Sequence, residues 1–167
     1  MDKFLDREKE RSKAGYTVLV DKIEEQINYI WSVKGMKVKL YGYPDRIELE
    51  NNRYNILDYK MTIPPKKKYE LGDEFVEFQL PLYGMIISKE DFSVINDLAY
   101  YGISREIKIC NIADRMSIAD YLSDFKAKIL QPTIEEMLSP DIPFCQSCTR
   151  TSSKYCAFTD LCGVTNV

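Results

Sequence analysis

Asp45, Asp58 and Lys60 are the residues whose types and spacing best suit chemistry on a phosphodiester. Two carboxylates that face each other repel, and a divalent cation between them would relieve the repulsion. Carboxylate oxygens suit Mg²⁺ or Mn²⁺, and such an ion polarises a phosphate and lowers the pKa of an attacking water. The Lys60 ammonium would orient that water or stabilise developing charge. The trio therefore indicates metal-assisted hydrolysis, and two solvated acids on a surface hairpin are the alternative.

A predicted β-hairpin brings these residues together. Strand-like runs at 46–50 and 53–57 flank Asn51-Asn52, and asparagine tolerates the positive φ of a tight two-residue turn. The register then gives the cross-strand pairs Glu50–Arg53, Leu49–Tyr54, Ile47–Ile56 and Asp45–Asp58. Lys60 points the same way as Asp58, because side chains alternate along a strand. The opposite face is mostly polar and is expected to face solvent; its polar members are Arg46, Glu48, Glu50, Arg53 and Asn55.

The motifs around this hairpin resemble the RecB-like or AddB-like nuclease domains of the PD-(D/E)XK nuclease superfamily. Their pattern is G-x-x-D-R, then a strand ending in D-Y-K, then a helix with Q-x-x-x-Y. The matching residues here are Gly42, Asp45, Arg46, Asp58, Tyr59, Lys60, Gln79 and Tyr83. The resemblance implies that Asp45, Asp58 and the backbone carbonyl of Tyr59 ligate the metal. It further implies that Lys60 is the catalytic lysine, with Gln79 and Tyr83 contacting the DNA backbone or supporting that lysine.

The chain before the hairpin predicts a helix and then a strand. Apolar residues over 3–31 approximate helical spacing, and no proline interrupts them. Glu24 or Glu25 on this helix is a further metal-ligand candidate, since the family can use a glutamate there; a solvated helical face is the alternative. Residues 36–43 alternate and predict a strand that enters the hairpin region. Gly42 indicates a bend or a close approach of the backbone to substrate.

The chain after the hairpin predicts a loop, a helix and two strands. In the loop over 61–74, Lys66, Lys67 and Lys68 either contact DNA phosphates or are solvated. A helix over 74–88 carries Gln79 and Tyr83 on one face, with Pro81 in the first turn or at a kink. Runs at 94–103 and 105–112 predict strands that complete a mixed sheet, with Cys110 as a buried small apolar residue.

Two helices are predicted beyond the sheet. Ser117 caps a helix over 118–130, with Asp120 in place of the usual glutamate. Pro132 ends that helix, and Thr133 with Glu136 forms a capping box for a short second one. Together the elements predict a restriction-endonuclease-like α/β fold, with a mixed sheet flanked by helices and the hairpin at its centre. The whole of 1–167 is expected to be one domain, with a core at 1–112 and C-terminal helices and a cysteine tail at 113–167.

Four cysteines close the chain in the spacing C-x2-C-x7-C-x5-C: Cys145, Cys148, Cys156 and Cys162. Four thiolates within so short a segment suit Zn²⁺ or a 4Fe–4S cluster, and free cysteines in a tail are the alternative. The segment also resembles the end of the RecB-like family through Pro143, Phe144, Gln146, Cys156, Phe158 and Cys162. It departs from that family at Ser153, which stands where the first tail cysteine would be.

Composition excludes several classes of function. The chain has 167 residues and no histidine, so it has neither a Ser–His–Asp triad nor a histidine-ligated zinc. Its net charge of −3 argues against tight DNA binding by this domain alone. An odd number of cysteines and a charged N-terminus favour the reducing cytoplasm, and no apolar run suits a membrane span. The chain contains no G-x-x-x-x-G-K-[ST] phosphate loop, so any motor lies elsewhere.

These observations predict a Mg²⁺- or Mn²⁺-dependent deoxyribonuclease, either an exonuclease or an endonuclease. The resemblance implies a setting in DNA end processing, recombination or repair, with DNA as substrate and a helicase subunit or an upstream helicase-like region as partner. A non-catalytic DNA-binding or scaffold module that keeps the nuclease fold is the alternative. A small zinc-bearing interaction module is a third interpretation, in which function would depend on the cysteine tail.

Overall fold

The described chain contains both helices and strands, with five consecutive strands between the first two helices. The structure is a computed structural model that describes residues 2–13, 19–66, 71, 77–103, 108–113 and 116–142. The elements in chain order are α1 (Asp2–Lys13), β1 (Leu19–Ile23), β2 (Ile27–Val33), β3 (Met36–Gly42), β4 (Arg46–Glu50), β5 (Arg53–Lys60), α2 (Gln79–Ser88), β6 (Ile95–Gly102), β7 (Lys108–Asn111), α3 (Ile118–Phe125) and α4 (Gln131–Met137). Among the helices in these ranges, none has the length and apolar character needed to cross a bilayer.

A mixed sheet with the strand order β1-β4-β5-β6-β7 lies at the centre of the described fold. Its neighbouring strands are antiparallel except for β5 and β6, which are parallel. A parallel pair needs a crossover connection, and α2 lies in that crossover. The predicted mixed sheet flanked by helices is therefore confirmed, and the strand that carries Asp58 and Lys60 is the middle one.

The β4–β5 hairpin has the predicted turn and register. Asn51 and Asn52 have φ angles of 49° and 63°, as the tight turn requires. The pairs Glu50–Arg53, Leu49–Tyr54 and Ile47–Ile56 are all present. The ladder ends at Arg46–Leu57, so Asp45 lies in the bend immediately before β4 rather than in a paired position.

The prediction of one helix over 3–31 is wrong. Helix α1 ends at Lys13, and two strands, β1 and β2, occupy the rest of that range where it is described. β2 pairs with β3 in a separate two-stranded sheet, the β2–β3 ribbon (residues 27–42). Ile27, Trp31 and Val33 alternate with exposed residues, so the burial period is two. Strand β3 is confirmed, but it pairs with β2 and does not join the sheet of the hairpin.

The expectation of a solvated polar face on the hairpin is also wrong. Glu48 is only 1% exposed, and Asn55 is buried. Arg11 on α1 donates to Glu48 at 2.9 Å, Arg46 lies 2.6 Å from the other Glu48 oxygen, and Arg46 also pairs with Glu8 at 2.8 Å. Helix α1 thus contributes a guanidinium that pairs with the buried carboxylate. The strand pattern alone contains no sign of that distant partner.

The apolar core lies on the opposite face of the central sheet. Ile47 and Ile56 of the hairpin are fully buried there, together with Leu80 and Met85 of α2. The ribbon contributes Trp31 from its inner face, and α3 contributes further apolar residues, so these elements form one core. This packing holds α2 against the end of β5, where the candidate site lies.

The C-terminal helices run on through Pro132, contrary to prediction. Ser117 caps α3 as expected, because its hydroxyl accepts a hydrogen bond from the Asp120 amide at 3.0 Å. A π turn, Lys126–Leu130, then joins α3 to α4, and its wider hydrogen-bond spacing lets the helix pass the proline. Thr133 therefore lies inside α4, where its hydroxyl donates to the Ile129 carbonyl at 2.7 Å instead of forming a capping box. Cys110 is half-buried against the core rather than fully buried.

Candidate active site

Asp58 and Lys60 form an ion pair at the C-terminal end of β5. The two residues are two apart on a strand, so they point to the same face, and Lys60 Nζ lies 2.8 Å from Asp58 Oδ2. Asp58 is 1% exposed. Burial raises its pKa, the Lys60 ammonium opposes that rise, and the negative charges of Asp45 and Glu77 add to it; the net direction is upward. Burial therefore makes the ionised carboxylate costly at this position, and Lys60 offsets only part of that cost.

A chain of hydrogen bonds fixes Lys60 from the other side. Lys60 donates to Gln79 Oε1 at 2.8 Å, and Gln79 Nε2 donates to the Tyr83 hydroxyl at 3.2 Å. That hydroxyl in turn donates to the Tyr43 carbonyl at 3.1 Å. Gln79 and Tyr83 share a face because they lie four residues apart in α2. The lysine is thus held between a carboxylate of β5 and an amide of α2.

Asp45 lies at the same end of the hairpin, in the bend before β4. Its Oδ2 accepts the Tyr59 backbone N–H at 2.7 Å, which ties the carboxylate to β5 beside Asp58. The Glu24 N–H donates to the carbonyls of Pro44 and Asp45, so the β1–β2 turn braces the bend from outside. The sequence-predicted aspartates and lysine therefore meet at one strand end.

Gly42 makes a close approach to Tyr83. A Cβ added to Gly42 would lie 2.3 Å from Tyr83 Cε1, and the tyrosine ring is buried. The glycine lets β3 lie flat against the ring that ends the Lys60–Gln79–Tyr83 chain. Gly42 was predicted to mark either a bend or a close approach of the backbone to substrate. The structure shows a close approach, but the partner is Tyr83 of α2 and not substrate.

The other residues predicted to bind the metal or DNA lie in several different parts of the chain. The Tyr59 side chain accepts a hydrogen bond from Arg46 at 3.4 Å, and its carbonyl remains a predicted ligand. Glu24 and Glu25 are exposed in the β1–β2 turn and not on a helix, and Glu25 pairs with Lys22 at 2.9 Å. Lys66 is half-buried, while the rest of the lysine cluster and the tail cysteines lie outside the described residues: Lys67, Lys68, Cys145, Cys148, Cys156 and Cys162.

Glu77 is a site residue that the sequence reading missed. It precedes α2 by two residues, and its charge raises the pKa of Asp58. Its position two residues before the Gln79 of the Q-x-x-x-Y helix was the available signal. Within the described ranges, no group of three or more His, Cys, Asp or Glu residues could hold a metal ion.

Asp45 and Asp58 nevertheless fit a hard divalent cation. They are two carboxylates at one strand end, and hard oxygen donors are what Mg²⁺ and Mn²⁺ prefer. The raised pKa of Asp58, which is due first to burial, means that its ionised form is costly here, and a bound cation would offset that cost. Mg²⁺ commonly takes one or two protein carboxylates and keeps several waters, so two donors are a sufficient set.

The chain is similar to known proteins in sequence and in fold. The sequence profile of the PD-(D/E)XK nuclease superfamily matches residues 1–163. The crystal structure of SSO0001 superposes with a TM-score of 0.51 at 18% identity, covering 98% of this chain and 68% of that one. At this identity the likeness shows the fold alone. None of the curated proteins matches the chain significantly.

Proposed function

This chain belongs to the PD-(D/E)XK nuclease superfamily, and from that premise we propose that it is a Mg²⁺- or Mn²⁺-dependent deoxyribonuclease. The observation that carries the proposal is the position of Lys60, which is held at 2.8 Å by both Asp58 and Gln79 at the end of the central strand. A purely structural fold has no need to bring two acids together beside this lysine, because like charges at close range destabilise it. A lysine that acts on phosphate needs such fixed orientation.

Asp45 and Asp58 would hold the metal, with the Tyr59 carbonyl as a third oxygen donor. The ion would polarise the phosphate and lower the pKa of the attacking water. The Asp45 carboxylate is oriented for this task by the Tyr59 N–H, and Asp58 by burial at the strand end. Each aspartate is therefore fixed by the backbone of the hairpin and does not depend on a flexible loop.

The Lys60 ammonium has donor capacity left for substrate. It has three donors, of which Gln79 takes one, and it forms an ion pair with Asp58 at 2.8 Å. A remaining donor can face a phosphate oxygen or the attacking water. Gln79 and Tyr83 act through Lys60: the Tyr83 hydroxyl, anchored on the Tyr43 carbonyl, sets the Gln79 amide so that its oxygen faces the lysine.

Cleavage of end-labelled single- and double-stranded DNA tests the proposal. Wild type in Mg²⁺ or Mn²⁺ is expected to cleave, and EDTA to abolish cleavage. Asp58→Asn and Lys60→Ala should each lower the rate roughly 100-fold or more, since a positioned acid–base or electrostatic group contributes on that order. Glu136→Gln, an exposed change on α4, is the matched control and should cleave like wild type.

Two results would contradict the proposal. One is full cleavage by Asp58→Asn, and the other is cleavage that persists in EDTA. Binding of DNA by the folded wild type without cleavage in either metal would identify the non-catalytic DNA-binding module instead.

The finer assignment is to the RecB-like or AddB-like branch, in DNA end processing, recombination or repair. The support is the agreement of its G-x-x-D-R, D-Y-K and Q-x-x-x-Y motifs with residues that meet in one site. DNA is then the substrate, and a helicase subunit or helicase-like region is the proposed partner. Zn²⁺ or a 4Fe–4S cluster on the tail cysteines is part of the same proposal. Metal analysis of the purified protein tests it.

A further inference from the structure

The β2–β3 ribbon has one buried face and one exposed face. Alternation along the paired strands places Ile27, Trp31 and Leu40 against the core. The opposite parity forms the outer face, whose side chains are all exposed: Asn28, Ile30, Ser32, Lys37, Lys39 and Tyr41. Tyr43 has the same parity just past the end of β3 and is exposed as well. The outer face is therefore a continuous strip that runs along the ribbon to Tyr43.

The ribbon is a basic segment in an acidic chain. Residues 26–44 contain three lysines, at 34, 37 and 39, and neither aspartate nor glutamate, although the net charge of the whole chain is −3. Lys37 and Lys39 lie side by side on the outer face of β3. A local excess of positive charge suits contact with phosphates as point charges.

Two tyrosines project into solvent at the end of this strip. Tyr41 is 56% exposed and Tyr43 is 53% exposed. The Lys39 ammonium lies 6.0 Å from the centroid of the Tyr41 ring, and Gln26 donates to the Tyr43 hydroxyl at 2.9 Å. Exposed aromatic rings beside lysines are the surface on which unpaired bases stack while their phosphates contact the cations.

The strip leads directly to the proposed active site. The Tyr43 carbonyl accepts a hydrogen bond from the Tyr83 hydroxyl, the last member of the hydrogen-bond chain that begins at Lys60. Asp45 follows Tyr43 by two residues. Two residues of chain span at most about 7 Å, so a DNA strand lying on Tyr41 and Tyr43 would reach Asp45 after a short further step.

We propose that the outer face of the β2–β3 ribbon binds single-stranded DNA, with bases stacked on Tyr41 and Tyr43 and phosphates on Lys37 and Lys39. Only unpaired bases offer a free π-face to an exposed ring, so the tyrosines favour a single strand over a duplex. The delivery of that strand to Asp45, Asp58 and Lys60 rests on the proposed nuclease function, whereas the binding itself does not.

Fluorescence anisotropy in EDTA tests binding without cleavage. A labelled oligothymidylate and a duplex of the same length are titrated with the full chain. Tyr41→Ala should weaken binding of the single strand roughly 5- to 100-fold, the loss expected of one stacked base, and Tyr41→Phe should restore it. The double change Lys37→Ala and Lys39→Ala should lower the salt dependence of log K by about 1.4, as for two lost phosphate contacts on a single strand. Lys108→Ala, an exposed lysine on β7, is the control.

Several outcomes would overturn the ribbon proposal. The first is that wild type does not bind the single strand, and the second is that the Tyr41 and lysine variants bind it as tightly as wild type does. The third is that these variants lose affinity for the duplex and for the single strand equally. A chromogenic phosphodiester too small to reach the ribbon separates this result from the nuclease function. Its metal-dependent hydrolysis should be unchanged in Tyr41→Ala and lost in Asp58→Asn. Ribbon binding with no hydrolysis by wild type would overturn the nuclease function and leave the ribbon proposal standing.

Discussion

Asp58 is a buried acid that lowers the stability of the fold when it is ionised. Its pKa in the folded chain is raised above the ordinary value of 3.8, chiefly by burial, with Lys60 opposing and Asp45 and Glu77 adding to the rise. The folded state therefore favours the protonated form. This contribution to stability is present below pH 3.8 and is lost as pH rises through the raised pKa. Where Asp58 is ionised and no cation is bound, its burial lowers the stability of the fold.

The change Asp58→Asn should therefore stabilise the metal-free protein at neutral pH, because it removes the ionised buried group while keeping its shape. Thermal unfolding in EDTA should show a higher Tm for the variant, and the difference should vanish below pH 3.8. Added Mg²⁺ should stabilise wild type, by about 2.7 kcal/mol at 100 times Kd, and leave the variant unchanged.

Asp141→Asn, at an exposed position, is the control for this measurement. Equal stabilisation of wild type and Asp58→Asn by Mg²⁺ would contradict the assignment of Asp58 as a metal ligand.

Helix α2 and strand β3 are fitted to each other at Gly42. The change Gly42→Ala would place a methyl group 2.3 Å from the buried Tyr83 ring, so the ring or β3 must shift. We expect a loss of about 1–3 kcal/mol of stability, as for overpacking, and a roughly 10- to 100-fold slower cleavage because Gln79 and Lys60 lose their fixed positions.

The measurement is urea unfolding together with single-turnover DNA cleavage. Tyr83→Phe, which keeps the ring and removes the hydroxyl, should lose activity with a smaller loss of stability. Wild-type cleavage by Gly42→Ala would show that the Tyr83 chain does not position Lys60.

Helix α1 is attached to the hairpin by charge. Burial raises the pKa of Glu8. The hydrogen bonds and charges of Arg46 and Arg11 lower it by more than burial raises it, so the net shift of the pKa is downward. The stability that Glu8 contributes is therefore present above its ordinary value of 4.5 and is lost as pH falls through the lowered pKa.

Glu8→Gln should cost about 1 kcal/mol at neutral pH, and the cost should disappear in acid and shrink in high salt. Urea unfolding across pH measures it, with the exposed Glu10→Gln on the same helix as control. A cost that persists unchanged in acid would mean that the helix is held by packing and not by these ions.

Elements defined by nearby residues were predictable, and elements defined by distant partners were not. The hairpin turn at Asn51-Asn52 and the cap at Ser117 depend on neighbours within a few residues, and both are confirmed. Strand β2 was mistaken for helix because apolar residues over 3–31 mimic helical spacing, and its pairing with β3 was not visible. Pro132 was expected to end a helix, since a π turn at Lys126–Leu130 has no sequence signature. The shared orientation of Asp58 and Lys60 was predictable because residues two apart on a strand point to the same face, whereas the predicted pairing of Asp45 with Asp58 is absent because the ladder ends at Arg46–Leu57.

At the scale of the whole molecule, positive and negative side chains cluster in different places, although the net charge is only −3. Residues 26–44 contain only positive charge, whereas Asp45, Asp58 and Glu77 meet at the end of β5. The net charge of −3 therefore says little about whether DNA can bind, because binding depends on the local charge of the surface that contacts the phosphates and not on the total charge of the chain. Under the proposed function, a bound cation would offset the repulsion between the acidic site and a phosphate, and the ribbon would attract the phosphate beside it.

The contacts that form the site join residues at increasing separations in the sequence. We infer from these separations the order in which the contacts form during folding. Asp45 and Tyr59 are 14 residues apart, Lys60 and Gln79 are 19 apart, and Tyr43 and Tyr83 are 40 apart. Closing a longer loop costs more entropy, and the parallel β5–β6 pair must wait for its crossover. We expect the carboxylates to be in place early during folding and the lysine support to form last. A newly made chain would then be able to bind a cation before it can cut, and it would become active only when α2 has docked.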